Sequence, residues 1–179
     1  TWEKFRFFVQ DESRFGRITS VGRSWCPFPG RPEAKEQIVR EYTYAYSAVA
    51  PHSGESVSLI LPYANTYCME IFLRELSDQF PDSMNIIQLD GASFHKGHQM
   101  KITSNIKLLF QPPYSPQVNP IENLWDYIKE NYYRNRSFES MHALEDDLCS
   151  VFSKIQANTK RLSSITSFPW IMKMNLNAT

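Results

Sequence analysis

Phe5-Arg6-Phe7-Phe8-Val9-Gln10-Asp11 is an apolar run that stops on a carboxylate. Large apolar side chains at successive positions leave neither face of an extended segment polar. Residues 5–10 therefore read as a strand covered on both sides and central in its sheet. The same pattern recurs at Met84-Asn85-Ile86-Ile87-Gln88-Leu89-Asp90. Between them, residues 41–50 alternate with period two, Tyr42, Tyr44 and Tyr46 sharing one face as packing residues. Pro51-His52-Ser53-Gly54 is a turn, and Ser56 to Leu61 is the return strand, stopped by Pro62. These three strands form an antiparallel meander.

After it, Asn65 or Thr66 caps a helix to about Phe80, with Ile71, Phe72, Leu76 and Phe80 at helical spacing. The strand that ends at Asp90 follows, which makes a strand–helix–strand crossover. A short helical piece is expected over His95 to Lys101, and Ile106 to Phe110 is another strand. Asn119 caps a helix over 120–131, with Pro120 at its first position and Glu122 in its first turn. Ser137 caps a last helix, about 138–157, whose apolar stripe includes Leu144, Leu148, Val151, Phe152 and Ile155. The tail from Thr159 has no clear period, and residues 12–40, rich in Gly, Pro and Arg, form a hairpin or long loop. The fold class is α/β: a mixed five-stranded sheet, antiparallel meander plus parallel strands, with helices on both faces.

The chain has 179 residues, 42% of them hydrophobic and 14% aromatic, which suits one domain with a sizeable core. No apolar run approaches the ~18 residues of a membrane span, and the start, Thr1-Trp2-Glu3-Lys4, lacks a signal-peptide layout. Cys26, Cys68 and Cys149 are few, odd in number and far apart, so a reduced compartment fits better than a disulfide framework. His95 and His98 have ligand-like spacing, but no Cys pair accompanies them, which argues against zinc. Net charge is zero and the pI about 6.8. This counts against a strongly basic nucleic-acid binder, yet Arg14, Arg17, Arg23, Arg31, Lys35 and Arg40 crowd one stretch.

The informative residues are Asp11, Asp90 and Glu122. Each alone has an ordinary reading: a turn carboxylate, an Asp-Gly turn, an acid favoured by a helix N-terminus. Together they point elsewhere. The crossover lays the two core strands side by side, so their carboxyl ends meet at one rim, where a helix can add a third acid. Three hard oxygen donors suit Mg²⁺ or Mn²⁺. Two such ions about 3.5–4 Å apart are the usual device for in-line displacement at phosphorus.

Tyr114-Ser115-Pro116-Gln117-Val118-Asn119-Pro120-Ile121-Glu122-Asn123-Leu124-Trp125 resembles the segment around the catalytic glutamate of mariner-superfamily transposases, most of all their bacterial insertion-sequence branch. Gln10-Asp11-Glu12-Ser13-Arg14-Phe15 is similar to the first catalytic segment of that family, and Leu89-Asp90-Gly91-Ala92-Ser93-Phe94-His95 to the second. Gly22-Arg23-Ser24-Trp25-Cys26-Pro27 resembles its Arg-Trp hairpin. The stretch between Asp90 and Glu122 is a few residues shorter than the family's usual one, which reads as a shorter loop. The resemblance covers about residues 5–135. It implies a ribonuclease-H-like catalytic domain over 1–179, with Asp11, Asp90 and Glu122 as acidic triad and ligands of two Mg²⁺ or Mn²⁺ ions. Asp11 is expected to bridge them, Asp90 to hold one and Glu122 the other. It further implies cleavage and strand transfer of double-stranded DNA at transposon ends, a homodimer, and a helix-turn-helix DNA-reading region absent from this chain. The expected location is the bacterial cytoplasm at the nucleoid, or the nucleus of a eukaryotic host.

Arg14, Arg23, Trp25, His95 and Lys96 are the expected DNA contacts, with Arg17 and Arg31 suiting the same grip on phosphates. Each has a plainer alternative: solvated surface arginines, a core-anchoring Trp25, a helix-start or solvated His95, a solvated Lys96. Asp126, one turn after Glu122, reads as an exposed helix carboxylate, and Glu145-Asp146-Asp147 as a solvated face. Two other functions compete. A catalytically decayed domain would only bind DNA or dimerise, but retention of all three acids argues for chemistry. A ribonuclease or resolvase would share the fold but not the glutamate segment.

Overall fold

The apolar run from Phe5 does not stop at Asp11 but continues into β1, Phe5–Ile18. The computed structural model describes residues 2, 4–23, 25–30, 33, 35–91, 100–112, 115 and 118–174. Besides β1 it contains β2 Ile38–Val49, β3 Ser56–Leu61, α1 Thr66–Gln79, β4 Met84–Leu89, β5 Ile106–Phe110, α2 Ile121–Ile128, α3 Met141–Gln156, α4 Thr159–Thr166 and α5 Pro169–Met172. The strands form one sheet in the order β3-β2-β1-β4-β5. β1 is central, as its two-faced apolar pattern requires, antiparallel to β2 and parallel to β4. The meander and the parallel half expected from the sequence are both present.

The extension of β1 corrects the expected strand end. Glu12, Ser13 and Arg14 look like turn residues, but they pair with Tyr46, Ala45 and Tyr44 of β2. Of the hairpin or long loop expected over 12–40, the structure has the hairpin, with its arms formed by β1 and β2. Thr19 donates its N–H to the Gln37 carbonyl at 3.0 Å and closes the base of the hairpin tip.

Alternation along β1 feeds two cores. Phe8, Tyr46, Phe72, Leu76, Ile87 and Leu89 pack under α1 on one face. Phe7, Val9 and Phe15 pack under α2, α3, α4 and α5 on the other. Asn65 caps α1, its side-chain oxygen accepting from the Cys68 N–H at 2.8 Å. The last long helix starts later than expected, because Ser140, not Ser137, is its cap and accepts from the Ala143 N–H at 3.0 Å. Phe138 and Glu139 are held out of the helix: their carbonyls accept from Arg17, and Phe138 also exchanges hydrogen bonds with the Gln37 side chain. The tail, read as aperiodic, forms α4 and α5. Gly54, at φ 73°, lets the β2–β3 turn approach α4: a Cβ there would stand 1.9 Å from the Thr159 carbonyl oxygen. No helix among the described residues is long and apolar enough to cross a membrane.

Candidate active site

The parallel ladder between β1 and β4 ends at Val9 opposite Gln88. Asp11 and Asp90 each lie two residues further along, so the two chains carry their acids to the same corner of the sheet. Side-chain alternation sends Asp11 toward the face of Phe7, Val9 and Phe15, under α2. Its neighbour Glu12 faces α1 instead, opposite Tyr46 and bonded to the Gln10 amide at 2.9 Å. The register therefore distinguishes the two acids of the Asp11-Glu12 pair.

Glu122 arrives from above. Ile121, Leu124, Trp125 and Ile128 form the buried stripe of α2, at i, i+3, i+4 and i+7. Each such side chain contributes about 1.5–3 kcal/mol on burial, and together they fix the helix against β1. The chain entering α2 is tied to both central strands. The Asn119 side-chain amide donates to the Gln10 carbonyl of β1 at 3.1 Å, and the Gln88 amide of β4 donates to the Val118 carbonyl at 3.0 Å. Asn119 thus serves chiefly as a strand tie, since its contact with the Ile121 N–H is long, 3.4 Å. The helix also ends differently from the expected run to residue 131. After Ile128 it widens into a π-helical turn, Lys129–Tyr133.

The acids act on one another electrostatically. Burial, then the charges of Glu12 and Glu122, push the Asp11 carboxyl up to about 7, against the hydrogen bonds from the Glu12 backbone N–H and the Trp125 indole. Trp125 donates its indole N–H to Asp11 Oδ2 at 3.0 Å. The Glu122 carboxyl is raised as well, by partial desolvation and by Asp126 and Asp90, while Lys129 opposes the shift. Asp11 thus feels Glu122, and Glu122 feels Asp90. Crowding of acids, offset at Glu122 by Lys129, favours the protonated carboxyl.

Hard carboxylate oxygens of one sign fit a hard divalent cation. The fit is one of chemistry rather than of a closed cage: among the described residues no three His, Cys, Asp or Glu side chains stand close enough to ligate one ion.

The remaining expected contacts scatter. Arg14 stacks over the Tyr42 ring at 4.5 Å, on the α1 face rather than beside Asp11. Arg17 is spent on structure, reaching the Phe138 and Glu139 carbonyls and pairing with Glu41 at 2.7 Å. Trp25 is not a core anchor but fully exposed at the hairpin tip, near exposed Phe28 and Arg23. Tyr46 is buried among core residues, as the packing reading required. Asp126 is exposed, and Asp147 pairs with Arg136 instead of standing solvated. His95, Lys96, Arg31 and the expected short helix, except at its end, lie outside the described residues, as do Tyr114 and Gln117 of the glutamate segment. Sequence reasoning gave no part to Trp125, Gln88 or Lys129. For Trp125 a signal existed: a lone donor on the apolar stripe of α2, one turn beyond Glu122.

The profile of the DDE superfamily endonucleases matches residues 6–145, the span that holds all three acids. The chain belongs to that family. This DDE endonuclease domain is 32% identical over 130 residues to the uncharacterized protein y4pE/y4sA of Sinorhizobium fredii (strain NBRC 101917 / NGR234), an alignment covering 72% of this chain and 96% of that protein. Its fold is that of Mos1 transposase. Against the Mos1 paired-end complex with left transposon end the TM-score is 0.62 at 16% identity, covering 91% of this chain and 56% of that one. Against the Mos1 mariner paired-end complex with Mn it is 0.63, again at 16% identity, with 91% and 56% covered. The DDE domain thus spans little more than half the length of those transposases. The five-stranded sheet is the ribonuclease-H-like arrangement expected from the sequence, and the bacterial relative agrees with the branch that the glutamate segment resembles.

Proposed function

We propose that this domain cuts DNA and joins the freed strand to a target at the ends of a mobile element, with Asp11, Asp90 and Glu122 holding Mg²⁺ or Mn²⁺. What supports this is the approach of β1, the end of β4 and the first turn of α2 to one corner, with Asp11 in the field of Glu122 and Glu122 in that of Asp90. A divalent cation bound there supplies acidity to a water nucleophile and charge neutralisation to a leaving oxygen. The chain's own part is placement. The parallel register of β1 and β4 directs Asp11 and Asp90 toward one corner of the sheet, and the Asn119 and Gln88 ties hold the chain that enters α2, which carries Glu122. Lys129, whose charge reaches Glu122, adds positive potential where a DNA backbone would pass. No side chain is needed as a covalent nucleophile. The Mos1 structures matched are complexes with transposon ends, one with Mn, which supports the same DNA class and cation here.

A homodimer belongs to this reading, with exposed Trp25 and Phe28 at the hairpin tip as its apolar contact. So does a DNA-reading region outside these 179 residues. The test is Mn²⁺-dependent cleavage, by the full-length protein, of a plasmid bearing the element's own ends. Cleavage lost in Asp90→Asn supports the reading. Binding of the ends without any cleavage in Mn²⁺ moves the conclusion to a non-catalytic module.

A further inference from the structure

We propose that Trp125 is a positioning residue: its uncharged N–H fixes the direction of the Asp11 carboxylate and so sets how tightly this corner holds a divalent cation. This rests on the cation-binding reading above and goes beyond it to a residue outside the acidic triad.

Trp125 is 2% exposed, so its indole N–H has no recourse to water. An unmade hydrogen bond there would cost about 1–3 kcal/mol, and Asp11 Oδ2 is the acceptor it finds at 3.0 Å. The bond engages Oδ2, and the carboxyl also accepts from the Glu12 backbone N–H. The ring is itself fixed, edge to face with Phe15 on β1 and with Phe152 on α3, centroids 6.3 Å away in both cases. Phe15 lies four residues beyond Asp11 on the same face of the same strand. The direction of the acid is therefore anchored in the packed core through a rigid side chain with two rotatable bonds.

The chemistry of the donor matters as much as its place. An Arg or Lys in this position would also orient Asp11, but its charge would occupy the field that a cation needs. An indole has one N–H, no acceptor and no formal charge. It orients the carboxylate and leaves its negative charge available. Donors behind metal-binding side chains commonly govern affinity by about 10–100-fold.

The experiment compares Mn²⁺ binding to this chain, followed by the electron paramagnetic resonance of free Mn²⁺, in the parent and two variants. Trp125→Phe keeps an aromatic ring but removes the donor. Replacement of Trp125 by 3-benzothienylalanine keeps the full bicyclic shape, with sulfur in place of N–H, and answers for any misfolding of the Phe variant. Circular dichroism and the melting temperature report the fold of each. The expected result is an affinity for Mn²⁺ weakened by about 10–100-fold in both variants while the benzothienyl protein keeps its fold. Unchanged Mn²⁺ affinity in the folded benzothienyl variant overturns the positioning role and leaves the metal site standing. A parent chain that binds no Mn²⁺, with Asp11→Asn giving the same trace, overturns the cation reading itself and this inference with it.

Discussion

β1 carries a charged residue near each end of its apolar stretch, and the two are treated in opposite ways. Arg6 is buried and fully answered. It pairs with Glu55 at 3.2 Å and Asp82 at 3.1 Å, donates to Ser83, and lies 4.6 Å from the Phe80 ring. Burial alone would raise the Glu55 carboxyl, but hydrogen bonds from Arg6 and Ser53 outweigh it and hold it low. Asp82 is likewise lowered, chiefly by its hydrogen bond from Arg6. Asp11, five residues on, meets other acids and two neutral donors, the Glu12 backbone N–H and the Trp125 indole, and its carboxyl rises. One end of the strand is electrostatically closed and contributes to stability. The other is left open, a cost to the fold that the proposed cation would reverse.

The contrast can be broken most forcefully at the open end. Asp11→Asn, Asp90→Asn or Glu122→Gln is expected to reduce strand cleavage at least about 10³-fold, roughly 4 kcal/mol of barrier, as read from single-turnover rates with the full-length protein. A residual rate within tenfold of the parent for any one of them removes that acid from the proposed triad.

At the closed end the effect falls on stability instead. Arg6→Ala leaves acids and the Ser83 hydroxyl without their partner and is expected to cost about 3 kcal/mol in urea unfolding. Mn²⁺ affinity should not change, because the two ends share no charge contact.

The third prediction concerns pH. The unfolded Asp11 carboxyl titrates near its ordinary value of 3.8, the folded one at about 7. Between these values the folded chain holds a proton that the unfolded chain has released. The contribution of Asp11 to stability is therefore greatest below about pH 4 and is lost as pH rises through 7. Without metal, Asp11→Asn should flatten this slope and leave the variant about 2 kcal/mol more stable than the parent at pH 8, after allowance for partial exposure. Chemical unfolding at pH 5 and pH 8 decides it; a parent that gains stability from pH 5 to 8 relative to Asp11→Asn contradicts the assignment. The smallest effect is Glu55→Gln, a half-exposed partner, at below about 1 kcal/mol. Its loss should be fully visible above the ordinary glutamate value of 4.5 and fade as the pH falls below it.

Wherever residues repeat with a clear period, the sequence was readable. β3 and β5 fall on their expected bounds, and α1 ends within one residue of its own. The segments that carry Asp90 and Glu122 were readable too, because a strand end and a helix start announce themselves locally, whereas Asp11 sits within β1 rather than at its end. What escaped was set by partners distant in sequence. The polar run Glu12-Ser13-Arg14 mimics a turn, and only pairing with β2 makes it strand. Ser137 and Ser140 are equivalent caps until Arg17 and Gln37 claim the carbonyls between them. α4 and α5, with 8 and 4 residues, are too short to show a period. Trp125 reads as core, which it is; that its single polar atom meets Asp11 depends on a helix–strand crossing no local pattern reports.

The unbroken course of β1 past Asp11 has a consequence of scale. From Asp11 to Ile18 the strand advances by about 23 Å, at roughly 3.3 Å per residue. Successive base pairs rise about 3.4 Å. A duplex lying along this hairpin with a phosphodiester at Asp11 would be accompanied for about seven base pairs before it reached the tip that bears Trp25. Under the proposed function, the strand that carries the first acid would thus also be a ruler, setting how far from the cut the hairpin tip and its apolar contact stand.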